Sequence, residues 1–128
     1  MNVTVIFNIP EQRIADLMVT AIEGGSNHWC SSVRWVSDQP KPVGEHIWYS
    51  RPEVYAADHM KLAIDEIVDE SQRTVETHIV TREGFEKAFR LMAENHPSHF
   101  ADFLADNEDA ATADVFLQLL ALGEVVYG

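Results

Sequence analysis

The stretch MKLAIDEIVDESQRTVETHIV, Met60 to Val80, decides the fold, because its first half fits two periods at once. Met60, Leu62 and Ile64 alternate as in a strand, while Met60, Ala63, Ile64, Ile67 and Val68 fit one face of a helix equally well. The second half breaks the tie. Asp69-Glu70-Ser71-Gln72-Arg73 is a polar connection, and Thr74 to Val80 beyond it is β-branched and alternating, so the two halves form an antiparallel hairpin.

Upstream, Asp38 to Gly44 contains two prolines and a glycine and is a loop, with a short strand-like piece at Glu45 to Ser50 and a helical turn after Pro52. From His28 to Val36 the period is two, which makes a second strand with Trp29, Ser31, Val33 and Trp35 on one face and His28, Cys30, Ser32 and Arg34 on the other. Before it, Glu23-Gly24-Gly25-Ser26-Asn27 ends a helix and turns the chain. That helix runs from Glu11, with Ile14, Leu17, Met18, Ala21 and Ile22 as its apolar stripe. Asn2 to Asn8 alternates with apolar residues on both faces and is expected as a central strand, broken by Pro10.

Downstream, Thr81 is placed to cap a helix bearing Phe85, Ala88, Phe89 and Met92. Pro97 ends that segment, and Ser98 can cap a short helix with Phe100, Phe103 and Leu104 inward. Asn107 to Asp109 leads into a last helix of Val115, Phe116, Leu119, Leu120 and Leu122, closed by Gly123. The order implies a single α+β domain over residues 1–128: an antiparallel sheet with an N-terminal strand-helix unit and a C-terminal cluster of three helices on one face.

Composition narrows the function classes. An apolar fraction of 46% is globular, and the longest apolar run, Val115 to Leu122, is interrupted by Gln118 and too short to cross a bilayer. Met1 leads into the first strand pattern with no basic or apolar leader region, so a cytoplasmic location is expected. The single Cys30 cannot form an internal disulfide. With 21 acidic residues against nine basic ones, the net charge is -12, which disfavours direct contact with nucleic acid or an anionic membrane and favours a basic protein partner. The imbalance sharpens along the chain, because no Lys or Arg comes after Arg90.

Three stretches together resemble a family of small proteins encoded by bacteriophages and prophages. They are Ala21 to Cys30, reading AIEGGSNHWC; His99 to Asp102 with Phe103, reading HFADF; and Ala111 to Gln118, reading ATADVFLQ, running on to the ending GEVVYG at Gly123 to Gly128. The resemblance implies a phage accessory protein, of the broad class that inhibits host defences, anti-CRISPR proteins among them. His28 stands where an aromatic is expected in many relatives, which weakens any role assigned to that ring.

Several constellations compete with ordinary structural roles. His28 and Cys30, with His46 on a nearby strand, are weak candidates for a zinc site; a buried thiol beside a hydrogen-bonded histidine is the plainer reading. Glu23, Ser26, Asn27, Trp29, Thr112 and Asp114 define a polar motif pocket if the end of the first helix approaches the start of the last, although capping by Asp109 or Thr112 and closure of the Gly-Gly turn by Asn27 account for most of them. Gly24-Gly25 comes after a helix and lacks a Lys, so it is not a phosphate loop, and no cofactor is expected. Trp29, Trp35, Trp48 and Tyr49 are read as core rather than as a stacking platform.

The sharper expectation is that Glu94, Asp102, Asp106, Glu108, Asp109 and Asp114 form an acidic face that imitates a phosphate backbone. Such a face would engage a host protein with a basic nucleic-acid-binding surface, without catalysis. Alternatives are a small-molecule or metal binder, or enzyme, built on Glu23 to Cys30, and a structural homo-oligomer, with a homodimer possible.

Overall fold

In the computed structural model, which describes residues 1–44 and 47–128, the first regular element begins where proline permits it. Pro10 has an extended backbone (φ -62, ψ 142), and its carbonyl accepts from the N–H of Arg13 at 2.9 Å, so helix α1 (Glu11–Thr20) starts at once. Its stripe buries Ala15, Leu17 and Met18. The helix then widens into a π turn, Ala21–Gly25, where Ser26 N–H reaches back five residues to the Ala21 carbonyl at 2.9 Å.

Strand β1 (Cys30–Trp35) comes next, then a 3-10 turn (Trp48–Ser50), the short helix α2 (Pro52–Ala56), strands β2 (Lys61–Asp69) and β3 (Thr74–Thr81), and helices α3 (Arg82–Asn95), α4 (Pro97–Leu104) and α5 (Ala110–Leu122). The three strands form one antiparallel sheet in the order β1-β2-β3. The ambiguous stretch is therefore a hairpin, with Leu62 opposite Val80 and Ile64 opposite His78. Its alternation settles which side is covered. Leu62, Ile64 and Val80 are buried beneath the helices, whereas Val75 and Ile79 on the other side remain exposed.

The α+β reading holds, with α3, α4 and α5 after the sheet. Their inner faces supply Phe85, Phe89, Met92, Phe103, Phe116 and Leu117 to the core, and Phe89 lies 4.4 Å from Phe116 between ring centroids. Gly123 closes α5 at φ 78, a left-handed conformation that L side chains adopt only with strain.

Several expected details are corrected. Asn2 to Asn8 forms no strand; it runs along the surface without a ladder, since alternation marks a segment able to pair and cannot supply an edge to pair with. β1 starts at Cys30 rather than His28, because His28 and Trp29 still belong to the turn that the N–H groups of Trp29 and Cys30 close on the Ser26 carbonyl (3.1 and 2.9 Å). A bulge between Cys30 and Ser32 also breaks the strict alternation, so Ser31 is exposed while Val33 and Trp35 are half-buried. Within Glu45 to Ser50, Trp48–Ser50 is a 3-10 turn and not a strand, and Glu45 and His46 lie outside the described residues. Ser98 caps nothing, as α4 already begins at Pro97, and Leu104 faces solvent at 42% exposure. Thr81 occupies the N-cap position of α3 without a side-chain hydrogen bond.

Candidate functional site

Gly25 explains why the first and last motifs meet. A Cβ on that residue would lie 2.7 Å from the carbonyl oxygen of Ala110, closer than a side chain tolerates, so only glycine lets the π turn press against the first residue of α5. The contact brings Ser26 and Trp29 over Asp114, one turn into that helix. Ser26 Oγ–H donates to Asp114 Oδ1 at 2.8 Å and Trp29 Nε1–H donates to the same oxygen at 2.7 Å. Gln118, one turn further on, donates from Nε2 to Asp114 Oδ2 at 2.9 Å. A carboxylate this deeply placed is tolerable only because charge-assisted bonds replace its water.

Gln118 also fastens the C-terminal tail. Its Nε2 donates to the Tyr127 carbonyl at 3.0 Å, and its Oε1 accepts from the N–H groups of Val126 (2.8 Å) and Tyr127 (2.9 Å). Tyr127 stacks on Trp29 with centroids 5.9 Å apart and planes 7° from parallel. The Tyr127 hydroxyl donates to Glu66, and His78 Nε2 lies 2.8 Å from the other Glu66 oxygen. That shared hydrogen bond raises the pKa of the Tyr127 hydroxyl and lowers that of the Glu66 carboxyl. A continuous polar seam thus ties the turn before β1, α5, the tail and the β2-β3 hairpin.

Of the six residues expected in the motif pocket, Ser26, Trp29 and Asp114 converge. Thr112 is buried nearby but serves a different joint: its Oγ1 lies 2.8 Å from His99 Nδ1 on α4, and its N–H donates to the Asp109 side chain at 3.0 Å, the capping bond that sequence suggested. Glu23 and Asn27 turn outward; Glu23 accepts from the Tyr49 hydroxyl at 2.7 Å. A recess beside Asn27 and Cys30 holds about 40 Å3, and Ser26, Trp29 and Asp114 do not line it. His28 is 45% exposed at the rim with Nε2 3.6 Å from Asp114 Oδ2.

Two of the three weak metal candidates fall among the described residues. His28 sits in the turn before β1, Cys30 directs its thiol to the Ser32 carbonyl at 3.6 Å, and His46 lies outside the described residues. Burial pushes the Cys30 thiol up to about 11, so little reactive thiolate exists near neutrality. Glu66, Glu76 and His78 do offer ligand atoms within 4.8 Å of one another. Two of those three are engaged with each other, and Glu66 also holds Tyr127.

A second cluster was not legible from sequence. On the outer face of the sheet, Asp65 accepts from Ser32 Oγ (2.6 Å), Thr77 Oγ1 (2.6 Å), Arg34 Nε (3.1 Å) and Arg34 Nη2 (3.0 Å). The guanidinium fork first, then the hydroxyls, hold its carboxyl down to about 2. Sequence placed Ser32 and Arg34 on one face of β1; only the register puts both opposite Asp65 and Ala63.

The acidic face divides. Glu94, Asp102, Asp106 and Asp109 are exposed on the end of α3, on α4 and on the turn into α5. Glu108 is half-buried, with Arg13 Nη2 3.2 Å from both its oxygens, and the same guanidinium lies 3.6 Å from Asp106 and donates to the Phe103 carbonyl. Asp114 is not on that face at all, because five residues beyond the Asp109 cap it falls on the side of α5 turned toward Ser26. Among the aromatics, Trp29 is buried, whereas Trp35, Trp48 and Tyr49 form a half-buried edge-to-face cluster. No described helix is long and apolar enough to cross a membrane. No family model, curated protein or solved structure matches the chain.

Proposed function

We propose that the chain is a non-enzymatic binding protein of phage type that engages, through its acidic ridge, the basic nucleic-acid-binding surface of a host defence protein. The observation that carries this reading is the run of exposed carboxylates Glu94, Asp102, Asp106 and Asp109, in a part of the sequence that holds no Lys or Arg after Arg90. Arg13 is the guanidinium that reaches this ridge among the described residues, and Glu108 takes most of it. Carboxylates left outward in this way raise association rates with a cationic surface and lose their effect as salt screens them.

The seam at Asp114 supports the non-enzymatic side of the proposal. Ser26, Trp29, Asp114 and Gln118 already answer one another, so a ligand entering there would have to displace intrachain hydrogen bonds rather than meet waiting groups. The proposed role needs no cofactor and is exercised in the bacterial cytoplasm.

The test is capture from host lysate with the immobilised chain at low and high salt, beside a variant carrying Glu94→Gln, Asp102→Asn and Asp106→Asn. A basic partner should be retained at low salt, released at high salt and weakened by the variant. Recovery of no salt-sensitive basic partner, or one indifferent to the three substitutions, overturns the proposal.

A further inference from the structure

Residues 1–10, MNVTVIFNIP, contain no Asp, Glu, Lys or Arg, in a chain that carries a net charge of -12. The same segment holds the densest exposed apolar surface: Val3 is 75% exposed, Val5 63%, Ile6 85% and Phe7 51%. It forms neither helix nor strand, and among the described residues its N–H and C=O groups before Pro10 take part in no backbone hydrogen bond. Of those four side chains, Phe7 is anchored, edge-on against Phe100 at 5.4 Å. Beneath the arm lies a groove of about 900 Å3 floored by Ile14, Phe85, Phe89, Ala93 and Phe100.

Each of these features is costly for a lone chain. Val, Ile and Phe in alternation pack best in a ladder with both faces covered, and an unpaired edge of this composition is a template for another strand. The arm's own sheet does not take it up. The charge distribution favours a second copy: two strongly acidic molecules approach most readily where side-chain charge is absent, and this arm carries none, while the groove beside it is rimmed by charges of both signs, Glu11, Glu86 and Glu94 with Arg82 and Arg90.

We propose that Asn2 to Asn8 pairs antiparallel with the same segment of a second copy, forming a two-stranded ribbon about a two-fold axis, with the two arms covering the grooves beneath them. Antiparallel self-pairing is what two-fold symmetry allows a single strand to do, since each residue then meets its symmetric counterpart about a centre near Val5. Main-chain hydrogen bonds supply the affinity, and alternate side chains enter the grooves.

The experiment uses the full chain in sedimentation and light scattering over a concentration series, with Val5→Asp as the variant. The wild type should associate to a dimer, and the variant should weaken association at least tenfold, because a carboxylate at the centre of the ribbon meets its own copy. Circular dichroism should be unchanged, as Val5 contributes little to the interior of one chain. Alternate backbone amides along residues 3 to 8, those turned toward the partner arm, should exchange slowly at high concentration and rapidly at low. A wild type that stays monomeric throughout, a variant that dimerises as well as the wild type, or arm amides that exchange rapidly at every concentration overturns the inference.

Discussion

The seam around Asp114 and the N-terminal arm are both irregular stretches of chain laid against helices, and their chemistry is opposite. In the seam a carboxylate, an amide, an indole and a hydroxyl find partners within the chain, and the C-terminal tail is held by both atoms of the Gln118 amide. In the arm, apolar side chains with strand patterning find a groove beneath them and no strand beside them. The difference separates interior architecture from interaction surface: buried polar groups report how the fold is locked, and uncovered apolar or charged ones report what it meets.

Asp114→Ala should have the largest effect, since it leaves the Ser26 hydroxyl, the Trp29 indole N–H and the Gln118 amide without their acceptor in a buried setting. A loss of roughly 3–5 kcal/mol is expected from urea denaturation, at the upper end of what single substitutions cost. An unchanged midpoint would mean that the carboxylate serves a ligand and not the fold. Gly25→Ala comes next. Its Cβ would meet the Ala110 carbonyl at 2.7 Å, backbone against side chain, so α5 must shift and stability should fall by about 2 kcal/mol.

Asp65 probes the same contrast from the other side of the sheet, because it is itself buried but its strongest partner, Arg34, is exposed. Its folded-state carboxyl is held down to about 2, below the unfolded value near 4. A depressed carboxyl stabilises the fold above the unfolded value and loses that contribution as pH falls between about 4 and 2. Asp65→Asn should therefore flatten the pH dependence of the melting temperature in that window and cost about 1–2 kcal/mol at neutral pH. The smallest effect belongs to the ridge. Asp102→Asn should move stability by less than about 0.5 kcal/mol, the usual range for an exposed surface change. A larger loss would make the ridge part of the scaffold.

Much of the fold was legible because it rests on local chemistry. Pro10, the Asp109 cap and Gly123 each punctuate the chain by their own backbone or side-chain geometry, and the hairpin from Met60 to Val80 was decided by its polar turn; the two glycines after Glu23 instead lie at the end of the π turn without a left-handed φ, and Gly25 is needed for its close approach to Ala110. What was not legible depends on register and on long-range approach. Asn2 to Asn8 has every local feature of a strand, and only the tertiary structure shows that no edge accepts it. The meeting of Ser26, Trp29 and Asp114 was foreseen in part from the motifs that flank them, but the outward turn of Glu23 and Asn27 was not. The inclusion of Asp114 in an acidic face failed because formal charge along a sequence does not say which side of a helix a carboxylate occupies.

We propose that the Glu23 to Cys30 turn is a sealed structural joint, with recognition left to the outer surface. Hydrogen exchange of the three tryptophan indole protons, monitored by NMR, reads this directly. The Trp29 indole, donating to Asp114 at 2.7 Å with the side chain 1% exposed, should exchange only through global unfolding, far slower than the half-buried Trp35 and Trp48. A Trp29 indole that exchanges as fast as those two would reveal a site that opens there, and the joint would not be sealed.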